Sequence, residues 1–299
     1  MYEPLLKQIK SGDIKSFARA ISFIENQQPG YENLLQSISY NFSAKIIGIT
    51  GPPGAGKSTL TDALIGEMVK ENKKVAVLCV DPSSAFNHGA LLGDRIRMNE
   101  WHNQGNVFIR SLATRGSMGG LSPMLIEITD LIQWAGFENI IIETVGVGQS
   151  EIEIAGLADI TIVVVVPESG DEIQTMKAGL MEIADIFVIN KCDKPEAELL
   201  ERNLRFTLTP AFARQEQEIP VIKTIATEKK GVSELYRQIM QSACTRDKEK
   251  QYAVLAEKAW HLILSRRMRN ISKENLLSAI RENADRADFN LYRFVDNIS

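Results

Sequence analysis

An α/β architecture with a mostly parallel, doubly wound sheet is the fold class that this 299-residue sequence predicts. Three observations predict it. Short apolar runs alternate with helix-spaced segments from residue 45 onward. Most of these runs are rich in Val and Ile, as strands covered on both faces must be. The first run is joined to the first of those helices by a glycine-rich loop.

Ahead of the alternation, residues 1–40 carry apolar side chains at helical spacing: Leu5, Leu6 and Ile9, then Ile14, Phe17, Ile21 and Ile24, then Leu34, Leu35 and Ile38. Pro29-Gly30 interrupts them, so this segment reads as a short helical extension. The strand candidates follow: Ile46–Ile49, Val75–Val80, Val107–Ile109, Ile140–Ile142, Ile160–Val166, Ile186–Ile189 and Val221–Ile222. Ligands of such sheets bind at the carboxyl ends of the strands. Asp81, Glu143, Pro167 and Asn190 stand at those ends. After residue 246 the pattern is wholly helical, with Val254, Leu255, Trp260, Leu262, Ile263 and Met268 interleaved with Lys, Arg and Glu, and a further helix over Lys273–Ala284. The expected organisation is an extension over 1–40, a main domain over 41–245 and a helical arm over 246–299 whose apolar face needs a partner, either the main domain or another subunit.

Composition narrows the function classes. Hydrophobic residues at 44% and charged residues at 24% are ordinary for a globular chain, and a net charge of −4 gives no footing for nucleic acid or an anionic membrane. No apolar run is long enough to span a bilayer, and the first residues lack a signal-peptide core. Cys79, Cys192 and Cys244 lie far apart, which fits a reducing cytoplasm rather than a disulfide framework. His88, His102 and His261 form no cluster suited to a soft-metal centre.

The loop at 51–58 reads GPPGAGKS, a full match to the phosphate-binding pattern G-x-x-x-x-G-K-[ST], and makes the expected fold a P-loop NTPase. Strand, loop and helix in register aim the backbone N–H groups of Gly51, Pro52, Pro53, Gly54, Ala55 and Gly56 (those of the prolines excepted) at one concave spot, where the helix N-terminus adds positive partial charge. Lys57 is placed to reach the β/γ-phosphates, and Ser58, followed by Thr59, to hold Mg²⁺.

NKCD at 190–193 follows a strand and matches N-K-x-D, a guanine-reading pattern. The Asp193 carboxylate can accept from the ring N–H and the exocyclic amine of guanine; adenine lacks that donor pair. Asn190 is expected to tie the loop together and Lys191 to cover the base. Ala226 and Thr227 stand where a backbone N–H could meet the guanine oxygen, although an ordinary strand-to-helix loop explains them nearly as well. Glu143, with Gly146 three residues on, can hold Mg²⁺ through water or orient an attacking water, and Gly146 lets the backbone approach the γ-phosphate. Asp81 adds a second carboxylate to a hard-oxygen pocket, with an Asx turn or cap as its alternative. Asp94 and Arg97 share a helix face and are equally readable as a surface ion pair. Asp171, Gln174 and Lys177 recur every third residue, and from spacing alone a solvated first helical turn is the simpler reading. The stretch from Arg110 to Gly120, with Arg115, reads either as a mobile loop or as a plain connection.

GPPGAGKST, VDPSS, GDRIRM, TRGSMGGLS, ETVGVGQSE, PESGDEIQTMKAG and NKCD occur in one order at one spacing, and in this the sequence resembles the G3E-type P-loop GTPases of the methylmalonyl-CoA mutase-associated group. That group also carries the name of LAO/AO (arginine/ornithine) transport-system kinase or ATPase. The resemblance spans roughly residues 5–240 and is most specific over 46–193. It implies phosphate and Mg²⁺ roles for Lys57, Ser58 and Thr59, magnesium-linked positions at Asp81, Asp94 and Glu143, and a polar switch position at Arg97. It also implies a switch segment at Asp171, Gln174 and Lys177 that reports nucleotide state to a client, and guanine contacts from Asn190, Lys191 and Asp193 with Cys192 at the variable place. The implied protein is a cytoplasmic homodimer that binds Mg²⁺ and GTP/GDP and hydrolyses GTP slowly. By the same resemblance it gates adenosylcobalamin loading of, and protects, a B12-dependent acyl-CoA mutase such as methylmalonyl-CoA mutase, the cobalamin belonging to the client. Two other classes compete: a P-loop kinase or ATPase linked to amino-acid transport, and a metallocentre-assembly GTPase.

Overall fold

The computed structural model describes residues 2–39, 43–81, 98–101, 104–114, 124–144, 146, 153–167, 178–212, 219–242, 248–268, 271–284 and 289–296. Its strands are β1 (Lys45–Thr50), β2 (Val75–Asp81), β3 (Val107–Ala113), β4 (Asn139–Glu143), β5 (Ile160–Val165), β6 (Ile186–Ile189) and β7 (Val221–Lys223). They form one sheet in the order β3-β2-β4-β1-β5-β6-β7, and every ladder is parallel. The expected α/β P-loop architecture is the observed one. β1 lies between β4 and β5, so the chain leaves it at the middle of the sheet with strand ends on both sides.

Alternation along the strands sorts the core into layers. Ile47 and Ile49, Val75, Val77 and Cys79, Ile141, Ile162 and Val164 face one side, where they pack with Leu60, Leu64 and Met68 of α4 (Lys57–Lys70). Their neighbours Ile46, Ala76, Leu78, Ile140 and Ile142 face the other side. There they meet α1 (Glu3–Lys10), α2 (Ile14–Glu25), α3 (Tyr31–Gln36) and α5 (Leu125–Trp134). The helical extension thus completes the sheet's second face: the Phe17 ring of α2 sits 4.7 Å from Phe108 and 5.3 Å from Phe137. Beyond β5 that same face is covered by α6 (Ala178–Ile183) and α7 (Ala197–Phe212), through Leu180, Leu200, Leu204 and Leu208 against Phe187 and Ile189. α8 (Val232–Ser242) returns to the α4 side with Leu235 and Ile239.

β3 runs four residues further than its apolar run suggested, so Arg110–Ala113 belong to a strand rather than to a loop. The reason lies outside the strand. α2 supplies polar partners for the strand's charged residue: Arg110 donates to Glu25 Oε2 at 2.6 Å and to Ser22 Oγ at 3.0 Å. Arg115 and the Gly/Ser stretch after it lie outside the described residues.

The chain divides into two compact units, Met1–Gln251 and Tyr252–Ser299. The second holds most of α9 (Lys248–Met268) together with α10 (Lys273–Asn283) and α11 (Leu291–Asp296). Ser272 caps α10 by accepting from the Asn275 N–H at 3.0 Å. Trp260, Ile263, Met268, Leu277, Tyr292 and Val295 of this unit are exposed. Among the described residues, no helix is long and apolar enough to cross a membrane.

Candidate functional site

The described site residues gather where β1, β4, β5, β6 and β7 end. After Thr50 the loop turns through residues 51–56 into α4. Gly56 holds φ +84°, and a Cβ there would strike Asn190 Nδ2. A side chain is therefore barred both by backbone conformation and by the neighbouring loop. Lys57 opens α4 and is 7% exposed; its Nζ donates to Gly51 O at 2.8 Å and Pro52 O at 3.0 Å, within its own loop. Gly146, at φ +90°, stands against this ammonium: a Cβ on it would meet Gly51 O and lie 2.6 Å from Lys57 Nζ. The backbone after β4 thus leaves no room for a Cβ beside the loop.

Glu143 ends β4 and is 4% exposed. Both of its oxygens accept from α4: Ser58 Oγ donates to Oε1 at 2.6 Å, and Thr61 Oγ1 donates to Oε2 at 2.9 Å. Hydroxyl donors a helical turn apart on one face grip the two ends of a single carboxylate. One residue on, the buried Thr144 Oγ1 donates to Thr50 Oγ1 at 2.9 Å, joining the ends of β4 and β1.

Asn190, 3% exposed, binds three segments. Its Nδ2 donates to Ala55 O at 2.9 Å, and its Oδ1 accepts from Thr224 Oγ1 at 3.1 Å and from the Ala226 N–H at 3.1 Å. One amide joins the glycine-rich loop to the loops after β6 and β7. The Ala226 N–H is therefore engaged by Asn190, and Thr227, exposed beside it, is the other member of that pair. Lys191 follows at φ +58°, half-buried, and Asp193 is exposed.

Cys192 is half-buried between them. Its single S–H is shared between Ile189 O at 3.0 Å and Thr224 O at 3.1 Å, and burial pushes its pKa above the ordinary thiol value. Because the thiolate is the nucleophile, little of it is present at neutral pH. Alkylation of Cys192 by iodoacetamide at pH 7.4 is expected to run at least ~10-fold slower than that of a free cysteine, accelerating as the pH climbs past 9. Peptide mass spectrometry over time measures this, and a rate equal to the free amino acid's contradicts it.

Trp101 also anchors α4, its indole N–H donating to Asp62 Oδ1 at 2.7 Å. Burial raises the Asp62 pKa despite that bond.

Asp81 is the last residue of β2. Asp94, Arg97, Asp171, Gln174 and Lys177 lie outside the described residues. Among the described residues no group of three or more His, Cys, Asp and Glu could hold a metal ion. Sequence reading passed over Thr61, Thr144 and Thr224. Only Thr61 left a signal, its place three residues after Ser58 on the same helix.

A glycine-rich loop and lysine at the end of a central parallel strand, a hydroxyl–carboxylate pair beside them and an N-K-x-D loop tied to the same cradle define a P-loop GTPase. The methylmalonyl-CoA mutase-associated GTPase family MeaB matches residues 17–285, and the chain belongs to it. A Pyrococcus abyssi protein bearing a GTPase name is 44% identical over 90% of this chain and 81% of its own length. The GTPase ArgK of Escherichia coli is 36% identical over 79% of this chain and 74% of its own. The fused isobutyryl-CoA mutase of Geobacillus kaustophilus is 36% identical over 75% of this chain but only 22% of its own length. Among solved structures, that of an LAO/AO transport system kinase superposes with a TM-score of 0.72 and 27% identity, covering 99% of this chain and 97% of that one. The protein binds guanine nucleotide and hydrolyses GTP, as its family does.

Proposed function

We propose that this GTPase is a Mg²⁺-dependent chaperone of an adenosylcobalamin-dependent acyl-CoA mutase, admitting cofactor to the client and protecting it. The single observation that carries the client is the relative in Geobacillus kaustophilus, where a segment like this chain lies within a polypeptide named as an isobutyryl-CoA mutase. A GTPase and a mutase held in one chain there suit two separate partners here. The chain acts as a homodimer in the cytoplasm; the exposed apolar side chains of the 252–299 unit, Trp260 and Ile263 among them, support an arm that covers itself against a second copy.

The residues at the site fit both nucleotide and metal. Gly56 and Gly146 leave backbone where a Cβ would intrude, as a phosphate cradle requires, and Ser58, Thr61 and Glu143 form a hard-oxygen set. Ser58 would hold Mg²⁺ together with Asp81 and Asp94, Glu143 reaching the ion through water or through Ser58; the ion would supply positive charge to the phosphates. The 51–56 backbone and Thr59 position the phosphates, and Lys57 turns from its loop carbonyls to neutralise charge as it develops. Glu143 or the segment it opens orients the attacking water. Asn190 keeps cradle and base-reading loop in register, Lys191 covers the purine, Asp193 selects guanine, and Thr227 with Ala226 lies beside its oxygen. Basal turnover is slow, and Arg97, Asp171, Gln174 and Lys177 convey nucleotide state to the client. Stimulation arises when docking brings Lys177 or a client arginine against the phosphates, the device that gives small-GTPase activators ~10⁵-fold.

Lys177→Ala is expected to leave basal hydrolysis nearly intact and to remove stimulation by a B12-dependent acyl-CoA mutase. Phosphate release by both proteins, with and without the mutase, measures it. Equal stimulation refutes the role of Lys177, and no stimulation of either protein refutes the client.

The LAO/AO transport system kinase structure favours a second reading, a kinase or ATPase linked to amino-acid transport. That reading requires ATP to bind at least as well as GTP and labelled phosphate to reach an acceptor other than water. A third reading, a metallocentre-assembly GTPase, has only the fold of HypB from Helicobacter pylori beside it, at 16% identity.

A further inference from the structure

We infer that Thr61 is a positioning residue for the magnesium site, acting through Glu143. The inference rests on the Mg²⁺–nucleotide reading above and deepens it.

Thr61 lies one helical turn beyond Ser58 on α4 and is fully buried. Its hydroxyl takes Glu143 Oε2 at 2.9 Å while the Ser58 hydroxyl takes Oε1 at 2.6 Å. A serine hydroxyl has one proton and two lone pairs. With the Ser58 proton committed to Glu143, it is the lone-pair side of its Oγ that can face a cation. The direction of the Ser58 O–H therefore depends on where Glu143 Oε1 stands, and a carboxylate held at one oxygen can still pivot about its own axis. The second grip, from Thr61, removes that freedom. The grip is rigid because both donors sit on one helix, while Glu143 closes the strand between β1 and β2.

This division of labour makes Glu143 an orienting acceptor of Ser58 and gives Thr61 no contact of its own with the nucleotide. Thr61 thus acts on the metal and not on the base or the phosphates. A merely structural threonine would affect melting alike with and without the metal. A positioning threonine affects what Mg²⁺ adds to nucleotide binding.

The test is the affinity of the purified full chain for a fluorescent, non-hydrolysable GTP analogue, titrated in saturating Mg²⁺ and in EDTA. Thr61→Val, which keeps shape and removes the donor, is expected to lose about 10-fold of the affinity gained from Mg²⁺, the scale on which outer-shell partners of metal ligands act. Its affinity in EDTA is expected to match the wild type. Thr61→Ser, which keeps the donor, is expected to retain the full gain. Thr61→Ala is the second donor-free variant, with the same loss expected should the valine chain fail to fold. A valine or alanine variant that keeps the wild-type Mg²⁺ gain overturns the inference and leaves the site reading standing, even if it melts lower. A wild-type chain with no gain from Mg²⁺ overturns both.

Discussion

Asp193→Asn is expected to weaken GTP binding about a thousandfold and to create binding of xanthosine triphosphate, on the scale of two lost hydrogen bonds to a charged group. The carboxylate offers only acceptors, matched to the two N–H donors on one edge of guanine. An asparagine keeps one acceptor and gains a donor. Xanthine presents one N–H and one carbonyl on that edge, the complement of an amide. Asp193 is exposed, so the substitution costs folding little and the change falls on recognition. Competition of GTP, ATP and xanthosine triphosphate against a fluorescent guanine nucleotide measures it. A variant that still prefers GTP, or a wild-type chain that prefers ATP, removes Asp193 from base reading.

Lys57→Ala is expected to lower GTP hydrolysis by ~10²–10³-fold, the range found when one preorganised donor to developing charge is deleted. Lys57 reaches this role from an unusual resting place. It is almost fully buried, and its ammonium is held by Gly51 O and Pro52 O of the loop it serves. The same substitution deprives two carbonyls of a charged donor, so a lower melting temperature accompanies the loss, with about 1–3 kcal/mol at stake. Single-turnover phosphate release, read beside a thermal melt, separates the two. Lys57→Arg is not a rescue, because a planar fork does not replace a compact ammonium within a tight loop. Hydrolysis that survives Lys57→Ala in a folded chain would move the chemistry elsewhere.

The sheet was legible because each strand carries its own signal. Ile46–Ile49 carries no polar residue and Ile160–Val166 only Thr161, a pattern that a strand covered on both faces needs, and both became central strands. β3 was legible only as far as Ile109. Beyond it stand Arg110 and Ser111, which read as loop until α2, far away in sequence, supplies Glu25. The phosphate loop was legible from local rules, since glycine and lysine at fixed spacing mean one conformation. Its bonds to the rest of the site were not. Asn190 meets Ala55 across 135 residues, and Thr61 meets Glu143 across 82. No period or propensity encodes such a meeting; it follows from which strands lie side by side. The functional reading of Asp94, Arg97, Asp171, Gln174 and Lys177 stands on sequence pattern alone, as these positions fall outside the described residues.

The position of β1 carries a consequence for biosynthesis. This strand leaves the ribosome first of the seven, yet its lateral neighbours are β4 and β5, made long after it. A nascent chain that has just exposed its glycine-rich turn has nothing to brace it, and the asparagine that locks the turn to the base-reading segment is translated later still. Nucleotide capture is therefore a late event in the life of the emerging polypeptide, and the apolar run at 46–49 waits unpaired through about half of the domain's synthesis.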